Sequence, residues 1–294
     1  MASLRGYRWL AALLALAGIA TAYAAFAAYA IDRPVAPGPW LQTVQQRGTL
    51  VVGVRQYARP APPKAPTPPE PDHFDVAMAR YVADRLGVTL KVAGLPGEPG
   101  SSAWQAAQRD VDVVIAGATP TPGGDAVVSN APVVPVASAY AIGEGSLLVL
   151  RGSRYQRTDD LRGQPVCVGQ GSAYATRIAQ DFQGVPKVYA SSIRAATGFL
   201  AGECQALADD TPVVARLLTL QEWRFYRKLD GDLQADASAA RIGLHAADPQ
   251  SAVWFEQAVR DWRRDGALQR AREQRAGDVA YEASQLQDGL VCHS

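Results

Sequence analysis

The chain has 294 residues, 48% of them hydrophobic and 19% charged, with a formal net charge of +1. That is enough for one large domain or two modest ones with separate cores, and the balance gives no reason to expect nucleic acid as a partner. The charges are spread along the chain rather than massed in tails, which is a globular composition.

At the N-terminus, Arg5 and Arg8 precede residues 9–30, a stretch without charge that contains Ala28-Tyr29-Ala30. A basic start, an apolar run and an A-x-A site describe a secretory signal peptide. The same run is long enough to span a bilayer as an uncleaved transmembrane helix. The A-x-A pattern favours cleavage, and both readings export everything after residue 30.

Next come residues 40–47, a short helix ended by Gly48, and residues 50–54, a β-branched run expected as a buried strand. Between Arg55 and His73 the texture changes to "RQYARPAPPKAPTPPEPDH". Proline supplies no ladder donor, so this reads as an extended, polyproline-like loop, either a stiff surface connection or a lip over a site. Residues 74–86 carry apolar side chains at 74, 77, 78, 81, 82 and 86, an amphipathic helix capped by Gly87. A strand at 88–92, a helix at 103–108 and a strand at 111–116 follow.

A second set begins with a strand at 146–150. Strands at 166–168, 187–189 and 205–208 then alternate with helices at 172–182, 193–200 and 212–220. One more strand is expected at 241–245, and helices at 250–264 and 267–275 close the pattern around Asp265-Gly266. Alternation of this kind means parallel strands joined by crossover helices. The expected architecture is therefore α/β, with two lobes around a cleft, and ligands in such sheets bind beyond the carboxyl ends of the strands.

Three cysteines, Cys167, Cys204 and Cys292, fit an exported protein with one disulfide and one thiol left over, and spacing alone allows three pairings. Zinc is a poor alternative, because the cysteines lie tens of residues apart and His73, His245 and His293 do not complete a ligand set. No nucleophile elbow and no full G-x-G-x-x-G pattern is present, so neither an enzyme nor a cofactor is expected.

Six stretches occur in a recognisable order: "LQTVQQRGTLVVGV", "FDVAMARYVADRLGV", "DVVIAGATPTP", "GQPVCVGQGSAYA", "LADDTPVV" and "VRDWRRDGAL". Together, over roughly residues 40–275, they resemble the periplasmic solute-binding proteins of ABC importers, specifically the polar amino-acid-binding family. The resemblance implies a type II two-lobed fold. Lobe 1 would comprise residues 37–140 plus 242–294 and lobe 2 residues 141–241, with two hinge strands crossing near 137–142 and 240–245.

The family's residue roles carry over where the motifs align. The loop after "VVIAG" usually ends in an arginine that grips the ligand's α-carboxylate, a task suited to a bidentate guanidinium. Here that position is Gly124, leaving Gly117 and Thr119 as candidate contacts. In "GQGSAYA", Ser172 and Ala173 open a helix, where Ser172 either caps it or helps to hold an anion. By register with Asp-x-Pro, Asp210 would take the ligand's amino group, with a plain helix cap as the other reading. Tyr57 is the candidate ring and Arg59 the candidate replacement cation. The resemblance also implies a Cys167–Cys204 disulfide.

The function implied is a monomeric, non-enzymatic protein that captures a small polar, amine-bearing solute and delivers it to an ABC importer permease. The alternative is a membrane-anchored sensor or interaction protein on a degenerate form of the same fold.

Overall fold

The computed structural model describes residues 17–18, 21, 34–59, 68–98, 100–117, 134–231, 233–236, 240–244 and 248–288. Residues 1–36 and 37–294 are two compact units. In the first, the Thr21 hydroxyl donates to the carbonyls of Ala17 and Gly18, as within a helix. Among the described residues no helix is long and apolar enough to cross a membrane. The signal-or-anchor segment otherwise lies outside the described residues, as do Thr119 and Gly124.

The second unit opens with α1 (Pro39–Arg47), which has proline in its first turn and ends at Gly48 in the left-handed region. Strand β1 (Thr49–Ala58) then enters the first sheet. It pairs parallel with β3 (Thr89–Leu95) from Thr49 to Arg55, and antiparallel with β2 (Pro69–Pro71) from Gln56 to Ala58. On its other side lies β4 (Val113–Ile115), then β12 (Arg241–Leu244) and β5 (Val134–Ala139).

Helix α2 (His73–Leu86) is capped by Asp72, whose carboxylate accepts from the amides of Phe74 and Asp75. It buries Phe74, Met78, Val82 and Leu86. Helix α3 (Ser102–Gln108) puts Trp104 into a cluster with Leu95, Val111 and Val114.

The second sheet contains β6 (Glu144–Leu150), β7 (Pro165–Gly169), β8 (Val185–Tyr189), β9 (Ala206–Asp210), β10 (Tyr226–Lys228) and β11 (Leu233–Gln234). Its order is β10-β6-β9-β7-β8, with β11 also on β6. Helix α4 (Ala175–Gln180) packs Ile178 on one face with Val166 and Val168. On the other face, α5 (Ser192–Leu200) and α6 (Thr211–Leu217) enclose Ile193, Phe199, Val213, Leu217 and Trp223. The chain closes with α7 (Pro249–Arg264) and α8 (Ala267–Asp288). Two mixed sheets flanked by helices make the two-lobed binding-protein fold.

The chain leaves the first sheet after Ala139, enters the second at Glu144, and returns between Gln234 and Arg241. The two crossings touch, with the Tyr140 amide donating to the Ala240 carbonyl at 2.8 Å.

Several elements differ from the sequence pattern. β1 runs on to Ala58 and pairs with Pro69–Pro71, so both ends of the proline-rich stretch are strand, while residues 60–67 lie outside the described residues. Proline is tolerated here because β2 is an edge strand. α4 starts at Ala175, so Ser172 caps a turn instead of the helix, its hydroxyl accepting from the Tyr174 amide. β5, β10 and β11 are too short or too irregular to show alternation.

The largest departure is α8, expected over residues 267–275, which continues to Asp288. Ala276, Val279 and Ala283 give it a buried face among Ile193, Leu217 and Trp223. It packs on α5 and α6 as well as on α2 and α7, so it lies against both lobes instead of returning to the first alone.

Candidate functional site

The buried run of β1 ends in Arg55, a cation at the last position that β1 pairs in parallel with β3. Its Nε donates to Asp75 Oδ2 at 2.9 Å, and Asp72 lies 3.4 Å from its Nη2. Asp75 Oδ1 accepts at 2.6 Å from the Tyr140 hydroxyl, which in turn accepts from the Gly117 amide at 2.5 Å. Burial pushes the Asp75 carboxyl up to about 6, against the pull of Arg55 and with the help of Asp72. Burial alone would depress Arg55, but Asp75 and Asp72 more than reverse it.

Arg55 also reaches the second lobe, where Nη1 donates to the Gln170 carbonyl. Beside it, Gly117 (φ 69°) and Gly171 (φ 77°) face each other across the lobes. A Cβ on Gly117 would fall 2.7 Å from the Gly171 carbonyl oxygen. Glycine is needed here for both the backbone angle and the approach.

On the second lobe β9 ends in Asp209 and Asp210, both buried. Asp210 is the N-cap position of α6 but its side chain makes no cap bond. Its Oδ1 accepts from the Tyr174 hydroxyl and, at 3.3 Å, from Arg272 Nη2. Its Oδ2 accepts from Arg275 Nη1 at 3.3 Å. Arg275 Nη2 donates to Asp209 at 3.1 Å and to the Ser192 hydroxyl at 2.5 Å. Burial raises the Asp209 carboxyl above its ordinary range, Arg275 opposing and Asp210 adding to the shift. Arg275 is raised too, because Asp209, Asp210 and Asp72 outweigh its desolvation.

Two small adjoining pockets lie at this junction and share Arg55, Phe74 and Arg275. Tyr57 and Arg59 line the first, and Gly117, Ser172, Ala173 and Asp210 the second. Every described candidate from the sequence therefore lines one pocket or the other, but not all in the expected manner. Arg59 is held by Glu70 at 2.6 Å and by Glu282. Both oxygens of Asp210 already accept from the chain's own groups.

The residues that sequence reasoning missed are Arg55, Asp72, Asp75, Gln170, Arg272 and Arg275. A charge closing the buried run "VVGVR" was a usable signal for Arg55. Arg272 and Arg275 offered none, since arginines three apart on a polar helix look like a solvated face. Gln170 Nε2 is buried without a hydrogen-bond partner among the described residues, next to Arg55 in the first pocket. Those residues also contain no cluster of His, Cys, Asp and Glu able to hold a metal. Cys167 and Cys204 are bonded, with Cα atoms 5.6 Å apart.

No protein-family model matches the chain, and no curated protein matches its sequence. Solved structures do match. One is an amino acid ABC transporter substrate-binding protein from Streptococcus pneumoniae bound to L-arginine, with 16% identity and a TM-score of 0.55, covering 81% of this chain and 97% of that one. The fold is that of amino-acid substrate-binding proteins. A mutant of ArgBP from T. maritima shares this substrate-binding fold at 18% identity and a TM-score of 0.50, over 80% of this chain and 97% of the other. So does an ancestral amino-acid-binding protein described as a precursor of cyclohexadienyl dehydratase, at 20% identity and a TM-score of 0.51, over 80% and 98%.

Proposed function

We propose that the chain is a non-enzymatic binding protein that captures a small amine-bearing zwitterion outside the cytoplasm and presents it, as a monomer, to an ABC importer permease. One observation carries the reading. The pockets bring a guanidinium (Arg55), an aromatic ring (Phe74) and a carboxylate (Asp210) to the carboxyl ends of strands from both lobes. Arg55 and the Gln170 amide match a carboxylate, and Asp210 matches an ammonium, so the loss of arginine at Gly124 is met from another strand. Structural neighbours bound to L-arginine support the same class of solute.

Isothermal titration with L-arginine, other amino acids and polyamines tests this. The expected result is saturable heat from at least one amino acid, weakened ten- to a hundredfold by Arg55→Met, the scale of losing a charge-assisted contact of about 1.5–3 kcal/mol. No heat from any amino acid or amine would reject it.

The sensor or interaction reading is favoured by one different observation, that Tyr174, Arg272 and Arg275 already satisfy Asp210. Recovery of the protein in the membrane fraction with residues 1–30 intact, together with no solute heat, would select that reading.

A further inference from the structure

Helix α8 touches both lobes with different chemistry. It follows α7 directly, so its start is covalently rooted beside the first sheet. Its apolar face, Ala276, Val279 and Ala283, is buried in the core of the second lobe. Arg272 and Arg275, on the first turns, hold Asp209, Asp210 and Ser192 there, and Arg272 also donates to the Glu144 carbonyl at 2.5 Å. About one and two turns beyond Arg275, acidic side chains return to the first lobe. Asp278 meets His73 at 3.1 Å, and Glu282 meets Arg59. The helix is thus basic towards the second lobe and acidic towards the first, and it runs beside both pockets.

We propose that α8 is an intramolecular clasp, which holds the two lobes together and keeps its own guanidinium groups on the Asp209–Asp210 pair until it is released. Separation of the lobes requires the Asp278–His73 and Glu282–Arg59 contacts to break, because the apolar face keeps α8 on the second lobe. The clasp needs no solute. Its second effect, competition between Arg272 or Arg275 and a bound cation for Asp210, rests on the proposed solute capture.

Small-angle scattering of the full exported chain without solute tests the clasp. The paired variant Asp278→Asn, Glu282→Gln leaves the buried apolar face intact, and its radius of gyration is expected to exceed that of the parent while the circular dichroism stays unchanged. Hydrogen exchange at the Gly117 and Gly171 amides is expected to quicken in the same variant, which keeps the test decisive if scattering changes are small. An unchanged radius together with unchanged exchange overturns the proposal.

A titration with L-arginine separates the two claims. Arg272→Gln, Arg275→Gln is expected to bind it at least tenfold more tightly than the parent, as Asp210 is freed. If neither protein binds L-arginine or any other amino acid while the first variant still expands, the solute reading fails and the clasp stands. If both bind alike, the competition is overturned.

Discussion

Burial moves the titration of Asp75 above the ordinary carboxylate range. Buried between Arg55, Asp72 and Tyr140, its carboxyl keeps a proton up to about pH 6, whereas the ordinary value is 3.8. Between those values the folded state binds more protons than the unfolded one, so this group adds stability as pH falls from 6 towards 4. Asp209 and Glu282, both pushed up by burial, act in the same direction. Asp72 opposes them only further down. Burial would raise it, but Arg55 and Arg275 hold it below its ordinary value, so its contribution is lost as pH falls through that lowered pKa. The thermal midpoint is therefore expected to rise between pH 7 and pH 5, with a shallower rise in Asp75→Asn. Equal slopes would place the titration elsewhere. Gly117→Ala is a test of another kind. A left-handed alanine costs about 1–2 kcal/mol, and its methyl group would press on Gly171. Lower stability is expected together with a larger radius of gyration, while a more compact or unaltered particle would contradict the contact between lobes.

Among the elements, the clearest dependence is that of β7 on the segment leading into β9, linked by the Cys167–Cys204 bond across a sequence separation of 37. The chain-entropy account puts such a crosslink at about 4 kcal/mol. Denaturant unfolding with and without reductant is expected to show a loss of that order, and a difference near zero would mean that packing around Cys204 carries the segment unaided. Spacing alone left three pairings open here, and only the resemblance to a known family singled out one. The buried start of β1 was legible as an unbroken β-branched run, and α2 and α7 because each turns one apolar face inward. The end of α8 was not. Its buried face from Ala276 onward is two alanines and a valine set among charged residues, too faint a stripe to separate from a solvated helix.

At the scale of the molecule, two lobes with a cleft could be inferred from the alternation of elements and from six short motifs in order, even at identities where sequence comparison finds no match. The occupants of the cleft could not. Arg55 and Asp75 are twenty positions apart, and Arg275 lies more than sixty from Asp209, so only the closed path of the chain brings these charges together. A solute that binds this folded cleft and not the unfolded chain shifts the folding equilibrium, by about 2.7 kcal/mol at a hundred times its Kd. A rise in thermal midpoint with L-arginine, absent with a simple carboxylate such as acetate, is the expected signature. Equal rises with both would point to non-specific screening.

Tyr140 gives the crossing between lobes a mechanical role. Its backbone belongs to one crossing and is tied to the other through Ala240, while Trp262 on α7 donates to its carbonyl at 3.2 Å. Its hydroxyl, at the far end of a fully buried ring, bridges Asp75 and the Gly117 amide. The ring is therefore a rigid lever with its pivot at the joint and its tip at the candidate site. Rotation at the joint must swing that tip, so the joint cannot turn without loosening the hold on Asp75 and on the Gly117 amide.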